Sequence, residues 1–243
     1  MTEFVKKTKQ GAIVYDSDIF DQVSEDLFRA RGWKSVEPVT GALRSAGRGN
    51  TLIVSDGSRD FVLRKYVRGG LIGRLIKDTY FWKSEDETRS FAEWRLLKNL
   101  VKKGLNVPIP AAAYYRRTAM FYTADLLTVR IPGIQSLADR ILQAPGSDEF
   151  WESLGVAICR THSEDVYHAD MNAYNIQLDE KDEVWLLDFD RGELSPTGTW
   201  KQETLSRLHR SLKKIKGLSP EIYFEEANWQ KLLDGYFSES RSE

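Results

Sequence analysis

The sequence predicts an α+β fold of two lobes, a small β-rich N-terminal lobe over residues 1–123 and a mostly helical C-terminal lobe over residues 124–243. Three observations carry this reading. From Val36 to Thr123 short β-prone runs and turns alternate around one clear helical pattern. From Pro132 onward most segments repeat their apolar residues at helical spacing. Between them, Tyr167 to Arg191 folds back on itself: Ile176–Leu178 and Val184–Leu187 are β-prone runs separated by the charged turn Asp179-Glu180-Lys181-Asp182. A chain of 243 residues can hold one large domain or two lobes around a cleft.

In chain order, Gly11–Tyr15 reads as a short strand and Asp16–Arg31 as a helix stopped by Gly32. The stretch 41–50 is a glycine-rich connection. Thr51–Val54 and Asp60–Tyr66 form a hairpin around Ser55-Asp-Gly-Ser58. Strand alternation puts Val62 and Arg64 on one face and Phe61, Leu63 and Lys65 on the other. Glu87–Lys103 reads as a helix, with Phe91, Trp94, Leu97 and Val101 recurring before Gly104. Past Val107-Pro-Ile-Pro110, Ala111–Tyr115 and Ala119–Thr123 make a second hairpin, and Ala124–Leu127 is the expected hinge between lobes. Further helices are expected at Pro132–Gln143, at Asp148–His162 and at Trp200–Lys216, with a last one after Pro220. His162 is expected as a capping or core histidine.

Composition narrows the partners. A net charge of -1 gives no global attraction to nucleic acid. The single Cys159 excludes an internal disulfide and fits a reducing compartment. No run of about 18 apolar residues is present, and the segment MTEFVKKTKQG lacks the apolar core of a signal peptide, so a cytosolic chain is expected.

The chemistry concentrates where the folded-back ribbon ends. The residue before the first strand and the residue after the second lie close in a hairpin, so Asn175 and Asp188 are expected to converge, with Asp170 on the loop leading in. A carboxylate and an amide are hard oxygen ligands suited to Mg²⁺, which fills the rest of its sphere with phosphate and water. A second carboxylate, Asp170, can accept the proton of an attacking hydroxyl. Asp and Asn are also ordinary turn formers, which is the plainer account of each residue alone.

His168-x-Asp170-x4-Asn175 followed by Asp188-Phe189-Asp190 resembles the protein-kinase-like catalytic core. The resemblance implies ATP and Mg²⁺, with Asp170 as base, Asn175 and Asp188 on the metal, and His168 ordering the loop. It makes Gly47, Arg48 and Gly49 a phosphate-covering loop and places Val62 over the base. Arg64 falls at the position of the phosphate-binding lysine, with Lys65 as its rival. Glu93 becomes the helix partner of that cation, with Glu87 as the alternative, and the Ala124–Leu127 backbone would bind adenine. Ala169 and Asn172 replace the Arg and Lys of protein kinases, and Arg191–Trp200 is too short for an activation loop. These departures favour a sugar-like acceptor over a peptide.

Val62–Leu71, Glu93-Trp-Arg-Leu-Leu97, His168–Asn175 and Leu187-Asp-Phe-Asp-Arg191 together resemble the 3-deoxy-D-manno-octulosonic acid (Kdo) kinases of Gram-negative bacteria over nearly the full chain. That resemblance implies transfer of the ATP γ-phosphate to the 4-hydroxyl of Kdo on a lipid A precursor, by a peripheral protein at the cytoplasmic face of the inner membrane. No obligate protein partner is evident in the sequence. Lys65–Lys83 carries five cations against one Asp among aromatic and aliphatic residues, which suits an anionic membrane surface; a buried hairpin or helix with solvated Lys and Arg is the other reading. The basic run Arg207, Arg210, Lys213, Lys214 and Lys216 reads as a solvated helix face. An atypical protein kinase and a membrane-bound pseudokinase are the rival functions.

Overall fold

A computed structural model describes residues 1–39, 51–67, 78–195 and 198–240. Contacts divide the chain into an N-terminal unit, Met1–Lys103 with Pro108–Ile131, and a C-terminal unit, Gly104–Val107 with Pro132–Glu243.

Alternating apolar residues build the N-terminal unit as one antiparallel sheet. Its strands are β1 (Glu3–Lys7), β2 (Gly11–Asp16), β3 (Ser35–Pro38), β4 (Thr51–Ser55), β5 (Asp60–Lys65), β6 (Tyr80–Phe81), β7 (Pro110–Thr118) and β8 (Phe121–Val129). They run in the order β1-β2-β7-β8-β5-β4-β3, with β6 paired to β8. Along β5, Phe61 and Leu63 are buried with Ile13, Val54, Tyr114 and Leu127, beneath Phe20, Leu27, Phe28 and Trp33. The helix α1 (Arg89–Lys102) packs Phe91 edge-on against Tyr115 of β7. Its buried residues Phe91, Trp94 and Leu97 are those of the expected helical stripe.

Three expectations are corrected. Residues 16–31 form no α-helix, only the 3-10 turns Glu25–Phe28 and Ala30–Gly32. Short polar side chains divert the backbone: Asp16 Oδ1 accepts from the Thr2 and Asp18 amides, and Ser24 Oγ from the Asp26 amide. The expected hinge, Ala124–Leu127, lies inside β8, where its residues pair with β7 and β5 and the Ala124 carbonyl accepts from the Tyr66 N–H. After a brief excursion over Gly104–Val107, the chain passes finally from one unit to the other at Ile131–Pro132 instead. Residues 132–136 precede the helix rather than belong to it: Gly133 turns with φ +67°, and Gln135–Ser136 is a strand.

The C-terminal unit holds β9 (Gln135–Ser136), α2 (Leu137–Gln143), α3 (Asp148–Ser163), β10 (Val166–Tyr167), β11 (Ile176–Leu178), β12 (Val184–Leu186), β13 (Glu193–Leu194), α4 (Trp200–Leu218) and α5 (Glu226–Glu239). Ser136 and Ser147 cap α2 and α3 by accepting from the Asp139 and Phe150 amides. Strands β12-β11-β9 form one small sheet and β10-β13 another. The closest helix contact is between α3 and α5, at a glycine on each. A Cβ on Gly155 would stand 1.9 Å from the Leu232 carbonyl oxygen, and one on Gly235 2.1 Å from that of Glu152. Either clash is with backbone, so relief requires the helices to separate. Gly155→Ala and Gly235→Ala should each lose about 1–3 kcal/mol or more of unfolding free energy. Gly217→Ala in α4, where a Cβ meets nothing within 4 Å, should be neutral or gain up to about 1 kcal/mol. Denaturant titration of the three variants reads both signs.

Candidate active site

The hairpin at the centre of the sequence forms with the register that the site requires. Asp179 Oδ1 accepts from the Lys181 and Glu183 amides, at 2.8 and 3.0 Å, which closes the turn between β11 and β12. Ile176 then stands opposite Leu186, and the Leu187 N–H donates to the Asn175 carbonyl at 2.9 Å. Asn175 is therefore held one residue from Asp188. Asp188 itself has φ +64°, a left-handed conformation that a non-glycine residue adopts only when its surroundings impose it.

His168 supplies that constraint. Its Nδ1 accepts from the Asp170 N–H at 3.2 Å, so the proton sits on Nε2, which donates to the Leu187 carbonyl at 2.9 Å. The ring is buried and packs against buried Phe189, with centroids 4.7 Å apart. Burial pushes its pKa down, against the pull of the Leu187 carbonyl and of Asp188 and Asp170. A neutral imidazole thus ties the loop carrying Asp170 to the peptide preceding Asp188. It orders the loop, as expected.

Two amides complete the loop. Asn175 Nδ2 donates to the Asp170 carbonyl at 2.8 Å, and Asn172 Nδ2 to the same oxygen at 2.9 Å. Asn172 Oδ1 accepts from the Tyr174 and Asn175 amides, at 2.9 and 3.2 Å. The Asp170 backbone is fixed at both ends while its side chain stays 53% exposed, open to a substrate. Because Asn175 Nδ2 faces a carbonyl, Oδ1 is its other terminal atom and can serve as a ligand. No group of three or more His, Cys, Asp or Glu residues that could hold a metal occurs among the described residues. One amide oxygen and one carboxylate fit a cation that draws most ligands from phosphate and water, as Mg²⁺ does.

The N-terminal unit carries the cation. Arg64 of β5 makes an ion pair with buried Glu93 of α1, and the Tyr66 hydroxyl donates to the same carboxylate. The guanidinium lies 4.8 Å over the Tyr66 ring and donates to its hydroxyl at 3.1 Å. Lys65 is exposed and stands opposite Asp125, whose pKa burial pushes up to about 6 against the opposing pull of Lys65. Glu87 is exposed and pairs with Lys83 at 3.2 Å. Arg64 and Glu93 therefore meet; Lys65 and Glu87 do not take part. Gly47, Arg48 and Gly49 lie outside the described residues.

Sequence reasoning missed Tyr66, and it missed Arg207 and Ser211 of α4. Arg207 reaches the Asp170 carboxylate at 3.5 Å, and Ser211 Oγ accepts from the Ala173 N–H at 3.2 Å. Both contacts span more than 35 positions, and α4 has no local pattern that would single them out.

The C-terminal unit thus carries a backbone-fixed carboxylate with an amide and a second carboxylate on a hairpin, and the N-terminal unit a buried Arg–Glu pair. Residues 34–236 match the Lipopolysaccharide kinase (Kdo/WaaP) family, and the chain belongs to that family of kinases. It is similar to the 3-deoxy-D-manno-octulosonic acid kinase of Vibrio vulnificus (strain YJ016), with 39% identity over 95% of this chain and 96% of the relative. The enzyme of the same name from Stenotrophomonas maltophilia (strain R551-3) is 43% identical over 85% of this chain and 82% of its own length. Among solved structures, the bifunctional kinase-methyltransferase WbdD superposes with a TM-score of 0.44 and 14% identity; 86% of this chain is covered, but only 47% of WbdD.

His162 is held by a different set of contacts. Its Nδ1 is 2.9 Å from the Tyr236 hydroxyl and its ring meets Trp200 edge-on, and burial pushes its pKa down to about 3. It is a core residue. Between about pH 3 and the ordinary imidazole value of 6.5 the unfolded chain binds a proton that the folded chain refuses. Stability is thus fully present above about pH 6.5 and falls on acidification, by up to about 1.4 kcal/mol per pH unit for this group. Urea unfolding near pH 7.5 and near pH 5 should show a larger loss for the native chain than for His162→Gln.

Proposed function

We propose that this protein transfers the γ-phosphate of ATP to the 4-hydroxyl of Kdo on a lipid A precursor, as a peripheral enzyme at the cytoplasmic face of the inner membrane. The observation that carries the reading is the single imidazole joining the Asp170 amide to the Leu187 carbonyl, within a chain of the lipopolysaccharide kinase family. The acceptor is taken from the names of relatives that match nearly the full chain.

In this reading Asp170 accepts the proton of the attacking hydroxyl. Asn175 and Asp188 hold Mg²⁺, which when bound neutralises charge on the phosphate oxygens. Arg64, kept in place by Glu93 and Tyr66, contacts the phosphates, with Gly47, Arg48 and Gly49 covering them. A base positioned in this way contributes roughly 10²–10⁴-fold. Asp170→Ala should lower kcat by that factor and leave ATP affinity intact, whereas Asp188→Ala should weaken Mg²⁺-dependent nucleotide binding. The assay is phosphate transfer to a Kdo-bearing lipid A precursor, followed by product mass. Full turnover by Asp170→Ala would remove the assigned base.

For membrane association the supporting surface is a hairpin tip. Phe81, Met120 and Phe121 are 56%, 60% and 41% exposed, and Phe81 meets Phe121 edge-on. Trp82 is instead half-buried against Tyr115 and Tyr122. Residues 68–77 of the basic segment lie outside the described residues. No described helix is long and apolar enough to cross a membrane. Clustered exposed apolar side chains mark membrane or protein contact surfaces. Replacing Phe81 and Phe121 by Ser should reduce sedimentation with anionic vesicles several-fold without changing nucleotide affinity.

A further inference from the structure

The basic run on α4 does not behave as one solvated face. Lys213 and Lys216 pair with Glu226 and Glu225, at 2.9 and 2.8 Å. Arg207 and Arg210 take no part in those two pairs. They line a recess of about 390 Å³ together with Tyr167, Gln202 and Ser206. The one carboxylate on its wall, Glu203, accepts a hydrogen bond from the Thr199 hydroxyl at 2.8 Å.

This recess adjoins the proposed base. Ser211 holds α4 against the catalytic loop through the Ala173 amide, and Arg207, one turn earlier on the helix, reaches the Asp170 carboxylate at 3.5 Å. Arg210, three residues on from Arg207, lies on the same side of the helix and has no carboxylate within ion-pair distance among the described residues. The Arg207–Asp170 pair joins two half-exposed groups, and pairs of that kind contribute little to stability. The pair makes sense as a resting contact from which Arg207 is drawn off by a better anion. Two guanidinium forks side by side match a carboxylate bidentately.

We propose that Arg207 and Arg210 bind the carboxylate of the sugar-acid acceptor, and that this binding both places the acceptor hydroxyl beside Asp170 and frees Asp170 from Arg207. The inference rests on the Kdo kinase reading and adds the subsite that recognises the acid. An acceptor phosphate offers similar oxyanion chemistry, so the test separates the two sources.

Steady-state kinetics compare the native chain with Arg207→Ala, Arg210→Ala and Arg207→Lys, using the Kdo-bearing precursor and its Kdo methyl ester. Charge-assisted pairs of this type should raise the acceptor KM roughly 10- to 100-fold in either Ala variant, with the ATP KM unchanged. Arg207→Lys should recover only part of the loss. The ester should be a poor acceptor for the native chain but no poorer for Arg210→Ala, because the same contact is already missing. If the ester and the variants lose activity independently, the anion is a phosphate and the proposal fails. An acceptor KM within about twofold of native, or a shift in the ATP KM instead, also overturns it.

Binding of free Kdo without ATP, followed by ligand-observed NMR, separates this inference from the functional reading. Arg-dependent binding without phosphate transfer would retain the subsite and overturn the kinase assignment for this acceptor. Transfer that does not depend on the arginines would do the reverse. Loss of both would overturn both.

Discussion

The C-terminal unit depends on one residue, Leu187, being held through the peptide groups on both sides of it. Its N–H is anchored by the Asn175 carbonyl and its carbonyl by His168 Nε2. A protonated imidazole could not accept from the Asp170 amide, so the arrangement requires a neutral ring. Burial enforces neutrality, because a charged ring would have to be desolvated. The left-handed backbone at Asp188 costs on the order of 1–2 kcal/mol. The two anchoring hydrogen bonds, with Phe189 buried against the same ring, offset that cost. The strain is thereby stored at Asp188, the residue proposed as a Mg²⁺ ligand.

The Arg64–Glu93 pair answers a different need. Buried ion pairs rarely stabilise a fold relative to apolar residues, because the desolvation of both groups consumes most of the attraction. What such a pair fixes is position. Glu93 is almost fully buried, and it accepts from both Arg64 and the Tyr66 hydroxyl, so its charge is met by two donors. Tyr66 in turn lies under the guanidinium. A lysine at position 64 would lack the planar group that stacks and forks in this way, so arginine and tyrosine form one device, which a reading of strand alternation alone does not reveal.

Much of the site was legible because its determinants are local. Hairpin register follows from alternation and a turn, and it brought Asn175 beside Asp188 as expected. Alternation along Phe61–Lys65 separated Arg64 from Lys65, whereas Glu93 came from the kinase resemblance, and the helix expected from Glu87 starts at Arg89, which leaves Glu87 outside it. Where the reading failed, short-range side-chain chemistry or chain length decided. The Asp and Ser residues between 16 and 26 bond to backbone amides and prevent a helix that composition allows. Strand β8 runs on to Val129, past the point where Ala124–Leu127 was expected to part from the sheet, since both its neighbours continue to pair with it. Arg207 was not legible at all, because its partner is 37 positions away.

These contacts give α4 two separate duties. One side of the helix is fastened to α5 by Lys213, by Lys216 and by His209, whose ring stacks on Trp229 at 4.3 Å. The other side is fastened to the loop that carries Asp170 by Ser211, which accepts from the Ala173 amide. Glycines 155 and 235 bring α5 close to α3, so the loop is braced through a chain of packed helices rather than by a long activation segment. That bracing has a chemical consequence. With the helix fixed at Ser211, the reach of Arg207 is set by its own side-chain torsions, and a switch from Asp170 to an arriving anion needs no movement of the backbone. Rotamer changes of an exposed arginine take picoseconds to nanoseconds, so such an exchange would not limit turnover.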